Sequence, residues 1–123
     1  MTKKEAAVSF LKTAGMGNAR EAYEKFAAPK FIHHNQYFKG DRDSLMSAMI
    51  EAHKKSPNKL IDVRQVFEDG NTVITHSLVV RKDPAEQDIA VVHIFRFEGD
   101  KVAELWDVGM LLIKNSPNEN GPF

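Results

Sequence analysis

Two groups of residues in this chain carry side chains that could transfer protons. The first lies in the stretch FIHHNQYFKG, where His33 and His34 precede Asn35. The second consists of His93 and Asp107, which lie in two apolar stretches nearer the C-terminus. A carboxylate can remove a proton from the carbon next to a carbonyl, and a neutral imidazole can donate a hydrogen bond to the oxygen or return the proton. These residue types therefore suit proton-transfer chemistry, provided that the fold brings them together.

The second half of the chain has the pattern of β-strands, and this pattern relates His93 to Asp107. Four runs rich in β-branched and aromatic residues are joined in pairs at the turn sequences DGN (69–71) and EGD (98–100). Side chains alternate along a strand, so His93 shares a face with Phe95, and Asp107 shares one with Leu105. If the last two strands pair through their turn, His93 falls near Glu104 to Trp106, one or two residues from Asp107. The register is left open, and it decides whether His93 and Asp107 are direct or diagonal neighbours on one face.

The first half of the chain has helical periodicity in three segments. The first is predicted to end at Gly15, the second to run from Asn18 to near Pro29, and the third to be capped by Asp41 or Asp43. Three helices followed by four antiparallel strands predict an α+β fold, with helices covering one face of a curved sheet. Both faces of the strands carry apolar residues, so we expect a second copy of the chain to cover the outer face as a homodimer.

Composition narrows the classes of function. A chain of 123 residues fits one domain, spanning residues 1–123. Lys and Arg number 17 and Asp and Glu number 17, which argues against nucleic acid as a partner. The chain has no cysteine, its five histidines lack the spacing of a metal site, and it has no glycine-rich phosphate loop, so we expect neither metal nor cofactor. The first apolar run is too short and interrupted for a signal peptide or membrane span, which predicts a cytoplasmic protein.

Three stretches together resemble a known family. FIHHNQYFKG, VVHIFRFEGDKVAELWDVG and the tail ending in NENGPF resemble the SnoaL-like branch of the NTF2-like superfamily, over about residues 20 to 123. The resemblance implies an α+β conical barrel, in which N-terminal helices pack in a strongly curved antiparallel sheet around a pocket. Polyketide cyclases of this family close rings by an aldol reaction without a metal, using an aspartate as acid and base with histidines nearby. Leu105 departs from the pattern, because many relatives have a histidine before the tryptophan.

The resemblance also implies roles for individual residues. Asp107 matches the catalytic aspartate, His93 its partner, and His34, directly before Asn35 as in the family's histidine–asparagine pair, the donor to the enolate oxygen. His33 is the alternative to His34, because adjacent residues in an extended chain point in opposite directions and only one of them reaches the pocket. The residues expected to contact the substrate are His33, Asn35, Tyr37, His76, Trp106 and Met49.

Two functions remain open from the sequence. One is a cofactor-free enzyme that transfers a proton next to a carbonyl, in an aldol condensation, a cyclisation or an isomerisation. The other is a non-catalytic protein that binds a small apolar ligand, or a dimeric accessory domain. In the second case Asp107 would simply be hydrogen-bonded or paired with an arginine, and His93 would be a core histidine. An apolar cavity with both side chains pointing inward favours the first function, and a filled interior favours the second.

Overall fold

The computed structural model describes residues 1–57 and 59–123. Within these residues the elements are α1 (Lys3–Gly15), α2 (Ala19–Phe26), β1 (Ala27–His33), α3 (Arg42–Lys55), β2 (Leu60–Asp69), β3 (Thr72–Val80), β4 (Ile89–Glu98) and β5 (Lys101–Leu111). The strands form one curved sheet in the order β1-β5-β4-β3-β2, which does not close on itself. The predicted α+β fold is confirmed.

The helices begin where their capping residues predict. The Thr2 hydroxyl accepts a hydrogen bond from the Glu5 amide at 3.1 Å, and the Glu5 carboxylate accepts one from the Thr2 amide at 2.9 Å, which closes a capping box at the start of α1. Of the two aspartates considered for α3, Asp41 is the cap, because its carboxylate accepts from the Ser44 amide at 3.0 Å. Helix α2 ends at Phe26, earlier than predicted, since the backbone is already extended at Ala27.

Strand β1 was not predicted from the sequence. It follows α2 directly and pairs in parallel with β5, where Ile32 lies opposite Glu104 and His33 opposite Leu105. Pro29 lies inside this strand and argued against it, but proline is tolerated here because β1 is at the edge of the sheet. The two predicted hairpins are confirmed, with positive φ angles of 60° at Gly70 and 61° at Gly99 in their turns.

The helices pack on the concave face of the sheet around a group of aromatic rings. The Phe10 ring lies 4.8 Å from the Tyr23 ring in an edge-on arrangement, and 6.2 Å from the Phe95 ring. Near the β4–β5 turn the interior is filled, since Phe97 and Val102 are almost wholly buried. The space that remains between helices and sheet therefore lies toward the opposite ends of these two strands.

No helix in the described part of the chain combines the length and the apolar character that crossing a bilayer requires.

Candidate functional site

A cavity of about 200 Å³ lies between the concave face of the sheet and the helices. Its walls are mostly apolar and include Leu45 and Met49 from α3, so Met49, which was expected to contact the substrate, lies at the cavity. The titratable side chains in the lining are Tyr23, Lys59, His93 and Asp107. Within residues 1–57 and 59–123, no group of three or more His, Cys, Asp or Glu side chains is arranged to hold a metal ion.

His93 and Asp107 lie directly opposite each other on β4 and β5. Both line the cavity. They share a face of the sheet because the register of β4 and β5 shifts between Arg96 and Phe97. Asp107 also lines an outer groove of about 520 Å³, together with Asn35, Tyr37 and Val108. The carboxylate therefore stands where the cavity meets the groove that opens to solvent.

Asn35 holds the Asp107 carboxylate in place. Its Nδ2 donates a hydrogen bond to Asp107 Oδ2 at 2.9 Å. The amide of Asn35 is itself oriented, because its Oδ1 accepts from the Tyr37 backbone N–H at 3.0 Å. One carboxylate oxygen is thereby occupied, whereas Oδ1 accepts no hydrogen bond from any residue that the structure describes. The free oxygen is available to a ligand. Asn35, which the sequence analysis expected to contact the substrate, instead positions Asp107.

His93 is held in its neutral form by its surroundings. Burial lowers the pKa of the imidazole to about 4, although the neighbouring Asp107 carboxylate acts in the opposite direction. Its Nδ1 is buried without a hydrogen-bond partner among the described residues, as is the hydroxyl oxygen of Thr75, which lies opposite His93 on β3. The nitrogen left to contact a ligand is Nε2. A neutral imidazole at this place can donate a hydrogen bond or shuttle a proton.

Tyr23 is a polar residue of the cavity that the sequence analysis did not identify. Its ring is fixed edge-on against Phe10 at 4.8 Å and Phe31 at 5.7 Å. Burial raises the pKa of the Tyr23 hydroxyl well above its usual value, and the Asp107 carboxylate raises it further. The hydroxyl therefore keeps its proton and can only act as a hydrogen-bond donor or acceptor. The only signal in the sequence was a tyrosine on the apolar face of α2. A tyrosine that serves only in packing has the same pattern.

His34 does not meet Asp107 and His93 inside the cavity, so the expected position of this side chain is corrected. Its Nε2 is 2.6 Å from Glu104 Oε2 and its ring stacks on Trp106 at 4.9 Å, both on the outer face of the sheet. Hydrogen bonds from His34 and then Arg96 hold the pKa of Glu104 below its ordinary value. The cause is the alternation of side chains in extended backbone. Because the side chain of His33, the last residue of β1, turns inward, that of His34 turns outward.

His33 is the inward-facing member of the pair, but it fastens the loop that follows β1. Its Nδ1 accepts a hydrogen bond from the backbone N–H of Asn35 at 3.1 Å. The ring proton is therefore on Nε2, which donates it to the Lys39 carbonyl at 2.7 Å. Both ring nitrogens are thus occupied, and His33 is absent from the cavity lining. Its contribution to the site is to hold Asn35, which in turn holds Asp107.

The other residues expected at the substrate lie outside the cavity. Tyr37 is 79% exposed at the outer groove. Trp106 lies on the outer face against His34, and His76 lies on the same face with its ring 4.5 Å from that of Phe123. For Trp106 and His76 the expectation of substrate contact is corrected, because strand alternation turns them away from the face that carries Asp107 and His93.

The chain is similar in sequence to one protein family. A family model described as a SnoaL-like domain matches residues 9–105. No curated protein matches the chain in a sequence comparison.

Solved structures share the fold at low sequence identity. A cystatin-fold protein from Novosphingobium aromaticivorans superposes with a TM-score of 0.75 at 17% identity, covering 88% of this chain and 98% of its own. An NTF2-like protein from Cytophaga hutchinsonii gives 0.71 at 17% identity, with coverages of 89% and 91%. A protein from Acidithiobacillus ferrooxidans described as a "putative polyketide cyclase" gives 0.72 at 18% identity, covering 88% of each chain.

Proposed function

The chain belongs to the family of SnoaL-like domains, and from this premise we propose that it is a cofactor-free enzyme that transfers protons next to the carbonyl of a small molecule. The reaction class is an aldol condensation, a cyclisation or an isomerisation. The observation that carries the proposal is the placement of Asp107 directly opposite His93 in a small cavity with otherwise mostly apolar walls. The structurally similar protein from Acidithiobacillus ferrooxidans, which is described as a "putative polyketide cyclase", supports the carbonyl chemistry.

The proposed reaction begins with a proton transfer to Asp107. Its free Oδ1 takes a proton from the carbon next to the substrate carbonyl, and the electron pair of that C–H bond moves into the enolate. His93 Nε2 or the Tyr23 hydroxyl donates a hydrogen bond to the enolate oxygen. The resemblance had implied this role for His34. In an isomerisation Asp107 returns the proton to another carbon. In an aldol reaction the enolate carbon attacks a second carbonyl, and the proton goes to the new alkoxide.

The size of the cavity limits the substrate. An apolar cavity of about 150 Å³ binds benzene in a well-studied protein. The cavity here is about 200 Å³. We therefore propose a substrate with the bulk of a single ring or a short chain, smaller than the polycyclic substrates of many cyclases.

The proposal is tested by the exchange of carbon-bound hydrogen with solvent. The protein is incubated with cyclohexanone in D₂O, and the loss of the hydrogens next to the carbonyl is followed by NMR. We expect the wild-type protein to accelerate exchange over buffer, and Asp107→Asn to lower the protein-dependent rate by roughly 10²-fold or more, in line with general base catalysis. Asp100→Asn is the matched control, because Asp100 is an exposed carboxylate in the β4–β5 turn. Wild-type exchange at the buffer rate, or an unchanged rate in Asp107→Asn, would contradict the proposal.

The alternative function is non-catalytic binding of a small apolar ligand in the same cavity. It predicts that cyclohexanone binds, as detected by saturation-transfer NMR, without any acceleration of exchange. The apolar lining accounts for binding in either case, so only the exchange rate separates the two functions.

We also propose that two copies of the chain pair through the outer face of the sheet. Large apolar side chains are exposed on this face: Val108 is 65% exposed, Met110 55% and Ile74 37%. Contiguous exposed apolar surface of this kind is typical of an interaction site. A homodimer would cover it on the side of the sheet opposite the cavity, and at Val108 it would reach the edge of the outer groove.

A further inference from the structure

Lys59 is a cavity residue for which the proton-transfer mechanism has no use. It immediately precedes β2 and contributes to the cavity lining beside Ile61 and Val79. It is also the only lysine or arginine in that lining, as far as the structure describes the chain. A half-buried lysine at a mostly apolar wall gives up part of its hydration, which is unfavourable unless a partner compensates for it.

The protein itself supplies no such partner in its described residues. No carboxylate lies within 4.0 Å of the Lys59 ammonium group, and it makes no hydrogen bond to another side chain. Glu86 is the acidic residue that acts on it electrostatically, but its carboxylate is engaged by Arg81 Nη1 at 2.9 Å. Burial lowers the pKa of the Lys59 ammonium; Glu86 partly opposes this shift and Arg81 reinforces it. Within the described residues the charge is therefore only partly compensated.

Lys59 and Asp107 approach the cavity from different parts of the sheet. Asp107 is on β5 and Lys59 precedes β2, and in the strand order β4 and β3 lie between them. Because the sheet curves around the helices, these positions form separate walls of one cavity. A ligand that extends across the cavity from Asp107 and His93 would meet the wall to which Lys59 contributes.

We propose that the substrate is a small carbonyl compound that carries a carboxylate at the end away from the reacting carbonyl, and that Lys59 binds this carboxylate. The inference rests on the proposed function, since it takes the carbonyl to be at Asp107. The opposite orientation is unfavourable, because it would bring two carboxylates together at Asp107. Lys59 is in this account a specificity residue that anchors the ligand, and Asp107 and His93 act on the carbonyl end.

The test compares two probes of the same size, of which one is charged and the other neutral. 4-Oxocyclohexanecarboxylate carries a ketone and a carboxylate across one ring, and 4-oxocyclohexanecarboxamide is its neutral counterpart with the same number of heavy atoms. Their affinities are measured by calorimetry or NMR titration for wild type, for Lys59→Met, which keeps the apolar stem, and for Lys82→Met, a change of an exposed lysine in the neighbouring loop. Thermal melts check that each variant is folded.

We expect wild type and Lys82→Met to prefer the carboxylate by roughly tenfold or more, as for a hydrogen bond to a charged group, and Lys59→Met to lose that preference. Equal affinity of wild type for both probes, no binding of either probe, or a preference retained in Lys59→Met would each overturn the proposal. A borohydride-dependent mass increase on wild type that is absent from Lys59→Met would also overturn it, in favour of a covalent imine.

The outcome can be separated from that of the proposed function. Binding is measured without turnover, so a carboxylate preference that depends on Lys59 and is not accompanied by deuterium exchange rejects the enzyme and keeps the anion site. Exchange of cyclohexanone without any carboxylate preference keeps the enzyme and rejects the anion site.

Discussion

The neutral state of His93 makes the stability of the fold depend on pH in a way that one substitution can isolate. In the folded protein burial lowers the pKa of His93 to about 4. In the unfolded chain the value is about 6.5. Between these two values the unfolded state binds more protons than the folded state, so the free energy of unfolding falls as the pH is lowered. The contribution of neutral His93 is complete above about pH 6.5 and is lost progressively as the pH falls toward 4.

The size of the effect follows from the same two values. Each pKa unit between the unfolded and folded states corresponds to about 1.4 kcal/mol. The total contribution is then about 3 kcal/mol, of which about 2 kcal/mol is lost between pH 7 and pH 5. This is a large part of the stability of a typical small domain, which is about 5–15 kcal/mol.

Urea unfolding at pH 7, 6 and 5 measures the effect. We expect His93→Leu to reduce the loss of unfolding free energy between pH 7 and pH 5 by about 2 kcal/mol relative to wild type. The constant effect of the substitution on packing cancels, because only the dependence on pH is compared. His76→Leu removes an imidazole from the outer face and is the matched control. The same loss in wild type and His93→Leu would refute the reasoning, since His93 would then not be held neutral by burial.

Three further substitutions test other parts of the account. Tyr23→Phe keeps the edge-on ring contacts, so we expect an unchanged melting temperature and a fall of roughly 10-fold to 10³-fold in the deuterium-exchange rate; a wild-type rate would remove Tyr23 from the mechanism. Asn35→Ala releases one oxygen of Asp107, so we expect a lower kcat with little change in KM and a loss of stability of about 1 kcal/mol, measured by steady-state kinetics and urea unfolding. An unchanged kcat would show that Asp107 needs no positioning. Ile74→Glu places a charge in the exposed outer face, so we expect light scattering to show a monomer where wild type is a dimer; a dimer of unchanged affinity would locate the interface elsewhere.

The relation between His93 and Asp107 could be predicted only approximately, from the turn that joins their strands. Counted from the EGD turn with Phe97 opposite Val102, His93 falls opposite Trp106, and a register shift between Arg96 and Phe97 brings it opposite Asp107 instead. The turn therefore places His93 within one or two residues of Asp107, and the irregularity that aligns the two residues was not predicted. The same reasoning correctly predicted the hairpin between β2 and β3.

The position of His34 could not be predicted in this way, because it depends on a contact between distant parts of the chain. Strand β1 forms only through its parallel pairing with β5, and that pairing determines that His33 faces inward and His34 outward. Neither the apolar pattern nor the Pro29 position indicates such a strand. Long-range pairing of this kind leaves no local signal in the sequence.

Tyr23 and Lys59 were missed for a different reason. A tyrosine on the apolar face of a helix has the same pattern whether its hydroxyl faces a cavity or another side chain. Lys59 precedes a strand, where a lysine is ordinarily exposed. Only the volume left open between helices and sheet distinguishes these residues from packing and surface positions, and that volume is a property of the whole fold.

The position of a bound ketone tests the central claim most directly. Crystals of the Asp107→Asn protein, in which turnover is blocked, are soaked with cyclohexanone and the ligand is located by diffraction. The account predicts the ring inside the cavity, with its oxygen within hydrogen-bond distance of His93 Nε2 or the Tyr23 hydroxyl and an adjacent carbon facing the side chain at position 107. A ring bound only in the outer groove, or an empty cavity at saturating ketone, would contradict it.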